Sequence, residues 1–143
     1  MTMDTSGFFG YPTLAAERSH ATGLLAGATS EEWEALLAAT DTLRFRPGDV
    51  VLRAGERDRA LYLLLDGRLT IDPAGTPVSA PAAVGVAAFL DGLPQAETLR
   101  AGTHGELARL SWDAFEALAA RDARLGRTVL LDLARGLAAR LRA

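Results

Sequence analysis

The sequence predicts an α+β domain in which helices flank a compact antiparallel β-roll or barrel. Apolar residues follow helical spacing only towards the two ends of the chain, and short apolar runs separated by turn residues fill residues 43–110. Many short strands joined by tight turns are typical of a roll or barrel. The 143 residues, 49% of them hydrophobic, are enough to bury one such core.

The first predicted helix lies within residues 24–40. Thr29 and Glu32 have the spacing of a capping box, in which each side chain bonds to the backbone N–H of the other residue. Residues at helical spacing then fall on one face: Trp33, Leu36, Leu37 and Thr40. This pattern predicts a helix that buries that face.

Turn residues divide the central region into short strands. Asp66-Gly67 is a strong hairpin signal and predicts that the strands on either side of it pair. A second turn at 102–105 predicts that the last two strands pair as well. In chain order, the predicted elements are a turn at 47–49, strands at 50–52, 61–65 and 68–71, a turn at 72–75, a short helix at 84–91, and strands at 96–101 and 106–111.

Residues 112–142 return to helical spacing. Ser111 is the predicted N-cap, and a break is predicted near Asp122. After the break an apolar residue recurs every four positions: Leu125, Val129, Leu133, Leu137 and Leu141. Such a stripe packs on the core of its own domain, on a second copy, or on both. We expect core packing first, and we also expect Val129, Leu133, Leu137 and Leu141 to support self-association as a homodimer.

The C-terminal segment is locally basic, although the chain has a formal net charge of −3. Residues 121–143 hold six arginines and two aspartates, a local net charge of +4. This pattern fits either a solvated helix face or a surface that meets an acidic partner. All 15 basic residues are arginine, which is typical of a GC-rich bacterial genome.

Composition argues against several functional classes. The chain has no cysteine, no apolar run long enough to span a membrane and no secretory signal, so we expect a cytoplasmic protein without disulfides. Its two histidines, His20 and His104, are too few for a metal site of the cupin type. There is no Gly-x-Ser-x-Gly elbow and no phosphate loop or dinucleotide fingerprint. We therefore expect no enzyme activity, no metal and no cofactor.

Residues 1–23 are predicted to form an irregular leader, and residues 24–143 the domain. The leader contains Phe8, Phe9 and Tyr11, three of the nine aromatic residues. Because disordered tails rarely concentrate aromatic residues, we expect the leader to dock on its own domain or on a partner protein.

Three segments, in this order and at this spacing, resemble the cyclic nucleotide-binding domain family. Residues 45–56 resemble its entry strands, residues 61–69 its central hairpin, and residues 107–115 its exit strand with the helix that follows. The resemblance covers about residues 24–142. It implies an eight-stranded, jelly-roll-like antiparallel β-roll flanked by N- and C-terminal helices.

Residues 85–99 resemble the phosphate-binding cassette of that family. In ligand-binding members the cassette reads Gly-Glu, a short helix, Pro-Arg, small residues and Thr or Ser; the arginine pairs with the cyclic phosphate and the glutamate accepts a hydrogen bond from the ribose. Here Val86 stands at the acid position, Gln95 at the arginine position, and Glu97 at a position that is usually small. The ligand-site positions that the resemblance implies are Gly85, Val86, Ala87, Ala88, Gln95, Ala96, Glu97 and Thr98, with Arg100 as a candidate substitute cation.

The sequence therefore predicts a non-enzymatic module that has lost cAMP and cGMP binding and serves as a protein-interaction, scaffold or regulatory domain. The alternative is a functional cAMP or cGMP sensor in which backbone amides and Arg100 hold the phosphate. No helix-turn-helix follows the last predicted helix and the net charge is acidic, so direct DNA binding is not expected.

Overall fold

The computed structural model describes residue 25 and residues 27–143. The predicted leader at residues 1–23, with its aromatic residues, lies outside this part of the chain. The described elements are α1 (Ser30–Ala38), β1 (Asp41–Phe45), β2 (Val50–Leu52), β3 (Ala60–Asp66), β4 (Arg68–Ile71), β5 (Thr76–Ser79), β6 (Ala82–Val84), α2 (Val86–Asp91), β7 (Leu99–Ala101), β8 (Gly105–Ser111), α3 (Trp112–Arg121) and α4 (Ala123–Arg142). The predicted fold class, eight antiparallel strands with helices before and after them, is confirmed.

The chain divides into two compact units. The roll unit is Thr40–Ala114, and the helical unit is Phe115–Ala143 with the described part of residues 1–39. Among the described residues, no helix is both long enough and apolar enough to cross a membrane.

The roll unit consists of two antiparallel sheets with four strands each. Their strand orders are β1-β8-β3-β6 and β2-β7-β4-β5. Among the strands described, β4 and β5 are the one consecutive pair that is hydrogen-bonded. Every other connection between consecutive strands therefore carries the chain from one sheet to the other, which is the pattern of a jelly roll.

The predicted hairpin at Asp66-Gly67 is wrong. β3 pairs with β6 and β8, whereas β4 pairs with β5 and β7. Gly67 has φ +94°, and a Cβ atom there would lie 2.6 Å from the carbonyl oxygen of His104. The turn is thus as tight as the sequence indicates, but the two strands that it connects belong to different sheets.

The predicted pairing of the last two strands is also wrong. β7 pairs with β2 and β4, and β8 pairs with β1 and β3. β7 begins at Leu99 rather than at residue 96, because the preceding segment bonds to loops: the Thr98 carbonyl accepts from the Asp72 amide at 3.0 Å. Turn residues in a sequence show where the chain reverses. Which strands then pair with one another is decided by how the two sheets pack together.

The inner faces of the two sheets enclose the core of the roll. β3 contributes alternate residues to this core, among them Tyr62 and Leu64, while Leu61 and Leu63 are buried on its opposite face. The core residues are Phe45, Leu52, Ala60, Tyr62, Leu64, Leu69, Val84, Leu99, Ala101 and Leu107. A strand buried on both faces explains why residues 61–65 form a continuous apolar run in the sequence.

The helix ends follow the predicted caps. The Thr29 hydroxyl accepts from the Glu32 amide at 3.1 Å, and the Glu32 carboxylate accepts from the Thr29 amide at 2.9 Å. Ser111 caps α3 by accepting from the Ala114 amide at 3.1 Å. The predicted break is confirmed, because Asp122 is the N-cap of α4. The first helix is shorter than the predicted 24–40 and places Thr40 beyond its end.

The four-residue stripe of α4 divides into a buried part and an exposed part. Leu125, Val129 and Leu133 are buried, Leu137 is half-buried, and Leu141 is 87% exposed. Core packing is therefore confirmed for the first three residues. Self-association through Val129, Leu133, Leu137 and Leu141 stays a prediction, but Val129 and Leu133 are only 0% and 4% exposed, so Leu137 and Leu141 would have to supply its surface.

Candidate functional site

The cassette begins where β6 ends. Gly85 is the N-cap of α2 and has φ +74°, a conformation that favours glycine. A Cβ atom at Gly85 would lie 3.2 Å from the Ala60 carbonyl oxygen and 3.4 Å from Cδ1 of Tyr62. Glycine is thus required both by the backbone conformation and by the close approach of β3. The short helix predicted at 84–91 is confirmed as Val86–Asp91.

The helix of the cassette turns an apolar side inwards. Val86, Ala88 and Phe89 are buried, whereas Ala87 is exposed. At the position where ligand-binding cassettes carry an acid, this chain therefore has a buried valine, whose side chain can neither accept nor donate a hydrogen bond.

Arg59 stabilises the C-terminal end of α2. Its Nε donates to the Phe89 carbonyl and its Nη2 to the Leu90 carbonyl, each at 2.9 Å. The guanidinium carbon lies 3.8 Å from the ring centroid of Trp112, and that ring also contacts Phe89 edge-on at 5.1 Å. A cation at the negative end of a helix is favourable, so Arg59 fixes the cassette helix against the start of α3.

Gln95 attaches the cassette to the loop before β3. Its side chain is 5% exposed, and its Nε2 donates to the Asp58 carbonyl at 2.8 Å. Its backbone bonds to the same loop twice, to the Glu56 carbonyl at 2.9 Å and from the Gly55 amide at 2.8 Å. The amide at the arginine position of the cassette is therefore already hydrogen-bonded inside the chain.

The remaining predicted site residues are spread over different surroundings. Ala96 and Glu97 are exposed, and the Thr98 hydroxyl accepts from the Ala54 amide at 3.0 Å. Arg100 lies on β7 between Leu99 and Ala101, both of which face the core.

The side chain of Arg100 therefore belongs to the outer face of its sheet. It donates to the Asp72 carboxylate at 3.2–3.3 Å and to the Gly48 carbonyl at 3.2 Å. The structure does not bring this guanidinium to the inner side of the roll, where Gly85 meets Tyr62.

A polar cluster that sequence reasoning missed lies beside Gly85. Tyr62 on β3 and Arg109 on β8 are direct cross-strand partners, so their side chains share one face. The Tyr62 hydroxyl donates to Asp58, and Arg109 donates to Asp58 at 2.5 Å and to the Tyr62 hydroxyl at 3.2 Å. No sequence signal marks this cluster, because it depends on the register of two strands that lie far apart in the chain.

Comparison with known proteins agrees with this geometry. The family model of the cyclic nucleotide-binding domain matches residues 42–122, more than half of the chain. The chain belongs to the cyclic nucleotide-binding domain family. This family consists of regulatory domains that are generally not enzymes. A search of curated proteins finds no match.

Solved structures of similar fold come from several bacteria. A cyclic nucleotide-binding domain from Methylobacillus flagellatus is 26% identical, with a TM-score of 0.80, over 92% of this chain and 79% of that chain. The Thermus thermophilus catabolite activator protein is 24% identical, with a TM-score of 0.71, over 83% of this chain and 58% of that chain. A cyclic nucleotide-binding-like protein from Brucella abortus is 22% identical, with a TM-score of 0.59, over 73% of this chain and 96% of that chain. The last two likenesses concern the fold alone.

The polar cluster of this cyclic nucleotide-binding domain shifts the pKa values of its members. Burial raises the pKa of Asp58, but the hydrogen bonds from Arg109 and Tyr62 outweigh burial, and the net shift is downward. Burial and the hydrogen bond to Asp58 raise the pKa of Tyr62 to about 12. The hydrogen bond to Asp58 likewise raises the pKa of Arg109. The cluster therefore holds an ionised carboxylate, a neutral phenol and a guanidinium at neutral pH.

The Tyr62→Phe variant is expected to lose less stability than the native chain as the pH becomes alkaline. The pKa of Tyr62 is raised from 10.0 to about 12 by folding, so the folded state holds the proton more tightly than the unfolded state. The free energy of unfolding should then fall by about 2 kcal/mol as the pH rises from 10 to 12. Urea unfolding at pH 9, 10, 11 and about 12 measures this in both proteins. An equal decline in both would contradict the assignment.

The residues that the structure describes contain no cluster of His, Asp or Glu that could hold a metal ion. His104 is exposed in the turn before β8, and His20 lies outside the described residues.

Proposed function

We propose that this chain is a non-enzymatic regulatory module of the cyclic nucleotide-binding domain family that no longer binds cAMP or cGMP and acts through contacts with other proteins. The observation that carries the proposal is the buried Gln95 side chain, whose amide donates to the Asp58 carbonyl. A neutral amide held in this way cannot replace the charged, two-point contact that an arginine makes with a phosphate.

Three guanidiniums around the cassette support the proposal, because each already has acceptors. Arg59 donates to the carbonyls at the end of α2, Arg100 to Asp72, and Arg109 to Asp58. A cyclic phosphate would have to compete with these partners. A hydrogen bond to a charged group contributes about 1.5–3 kcal/mol, so each missing contact weakens binding by roughly tenfold to a hundredfold.

An acid within the cassette further disfavours phosphate binding. Glu97 is exposed two residues after Gln95, where ligand-binding members carry a small residue. A carboxylate about 4 Å from a phosphate would be repelled by about 4 kcal/mol at an effective dielectric constant of 20. Even at a larger distance, its charge has the wrong sign for a phosphate site.

The regulatory role is proposed from the fold and from its relatives. The Thermus thermophilus protein is by name a catabolite activator, and it shares this fold. A roll that keeps its scaffold but lacks the arginine of its cassette retains its surfaces as the means of acting on other molecules.

Isothermal titration of the full chain with cAMP and with cGMP tests the proposal. We expect no saturable heat for either nucleotide at millimolar concentration. Arg100→Ala should leave this result unchanged, as should Arg46→Ala, a matched exposed arginine. Micromolar binding of either nucleotide would overturn the proposal. If Arg100→Ala abolished that binding and Arg46→Ala preserved it, Arg100 would be identified as the cation of a working sensor.

A further inference from the structure

α4 has a second apolar face, distinct from the one buried in the chain. Leu130 and Leu131 are each 38% exposed, and Leu141 is more exposed still. On this face of α4, one half-buried residue, Leu137, and five exposed ones follow one another in alternating steps of four and three residues: Ala123, Arg127, Leu130, Ala134, Leu137 and Leu141. This is the spacing of the a and d positions of a coiled coil. We call this set the α4 seam.

An open groove of about 600 Å³ runs beside the α4 seam within the helical unit. Phe115 and Ala119 of α3 line one side, and Gly126, Leu130 and Leu131 of α4 line the other. A Cβ atom at Gly126 would lie 2.6 Å from the Cβ atom of Ala119, so the two helices approach closely at the base of the groove. The groove and the α4 seam together form an elongated apolar surface, the kind of shape that receives an amphipathic helix.

Charge decides which helix fits this surface. Arg127 is an exposed member of the α4 seam, and it forms no ion pair with any residue that the structure describes. In heptad terms, the positions that flank the seam carry arginine, glycine, alanine or leucine and no acid: residues 124, 126, 131, 133, 138 and 140. A parallel second copy would place Arg127 opposite Arg127. At the flanking positions, Arg124 already pairs with the Glu32 carboxylate at 3.4 Å, and Arg140 would add a cation that no acid of the flanks neutralises.

We propose that the α4 seam and its groove bind an acidic amphipathic helix of a partner protein. The apolar face of that helix would cover Leu130 and Leu141, and its carboxylates would pair with Arg127 and with the exposed flanking residue Arg140. This inference deepens the interaction role proposed above and rests on it, because it names the surface and the chemistry of the partner.

Two labelled three-heptad peptides test the proposal against the full chain by fluorescence anisotropy. Both have leucine at a and d; one has glutamate at every e and g position and the other has lysine. We expect the glutamate peptide to bind at least about tenfold more tightly than the lysine peptide. Arg127→Glu should reduce this preference by about tenfold, whereas Arg46→Glu, an exposed change in the roll unit, should not. Leu130→Ser should weaken binding of both peptides.

Three outcomes would overturn the proposal: no binding of the glutamate peptide, equal binding of the two peptides, or equal effects of Arg127→Glu and Arg46→Glu. A dimeric mass in light scattering that Leu130→Ser converts to a monomer would also overturn it, because a second copy would then occupy the surface. The nucleotide titration is independent of these results. Micromolar nucleotide binding would overturn the proposed loss of the ligand, and failure of the peptides would overturn the docking surface alone.

Discussion

Gly105→Ala should destabilise the domain by about 3 kcal/mol, the upper end of the usual cost of overpacking. Gly105 is the first residue of β8 and pairs with Phe45 of β1. A Cβ atom there would overlap the Asp66 carbonyl oxygen and Cζ of Phe45, and it would lie 2.8 Å from Cε1 of Phe45. A backbone carbonyl cannot move aside as a flexible side chain can, so the strand itself would have to shift.

Gly102→Ala is the matched control for this prediction. It adds the same methyl group three residues earlier, where the nearest atom, the Arg68 carbonyl oxygen, is 3.6 Å away in ordinary contact. We expect a change within about 0.5 kcal/mol. Urea unfolding followed by tryptophan fluorescence measures both variants. Equal unfolding midpoints for Gly105→Ala and Gly102→Ala would show that the close approach of β8 to Phe45 does not limit stability.

Asp58→Ala should cost about 2–3 kcal/mol at pH 7. Asp58 accepts from the Tyr62 hydroxyl and from Arg109, and its removal leaves both donors without this acceptor in a largely buried place. The Asp58 and Arg109 side chains are each 29% exposed, so water offsets part of the loss that a fully buried pair would suffer. Asp72→Ala is the control, because the Asp72–Arg100 pair is more exposed and should contribute less than about 1 kcal/mol.

The effect of Asp58→Ala should also depend on pH. Folding lowers the pKa of Asp58 below its ordinary value of 3.8. The ionised carboxylate therefore contributes its full stability above that value, and the contribution is lost as the pH falls through the lower pKa of the folded state. The difference in unfolding free energy between the native chain and Asp58→Ala should shrink below pH 3.8. A constant difference from pH 7 down to about 2 would contradict the assigned role of the charge.

Local signals in the sequence were sufficient for the features that depend on neighbouring residues. The capping box of Thr29 and Glu32, the N-cap Ser111 and the break at Asp122 are all present, because a cap joins residues two to four positions apart. The eight strands and their roll were predicted from the resemblance of ordered segments, since β5 and β6 carry no clear pattern of their own.

The pairing of the β-strands could not be predicted from such local signals. The turn at Gly67 marks where the chain reverses, but it does not show that β3 and β4 enter different sheets. The direction of Arg100 was uncertain for a related reason: a strand of three residues offers two faces, and packing of Leu99 and Ala101 in the core selects between them.

The sequence by itself determined which chemical groups the cassette has: a valine and a glutamine where ligand-binding relatives carry an acid and an arginine. Only the tertiary structure decided how those groups are used. It joins Gln95 to the Asp58 carbonyl and brings Asp58, Tyr62 and Arg109 together across two strands. It also separates the buried and exposed faces of α4. The physical reason is that side-chain chemistry is a property of single residues, whereas hydrogen-bond partners and burial depend on which distant segments pack against one another.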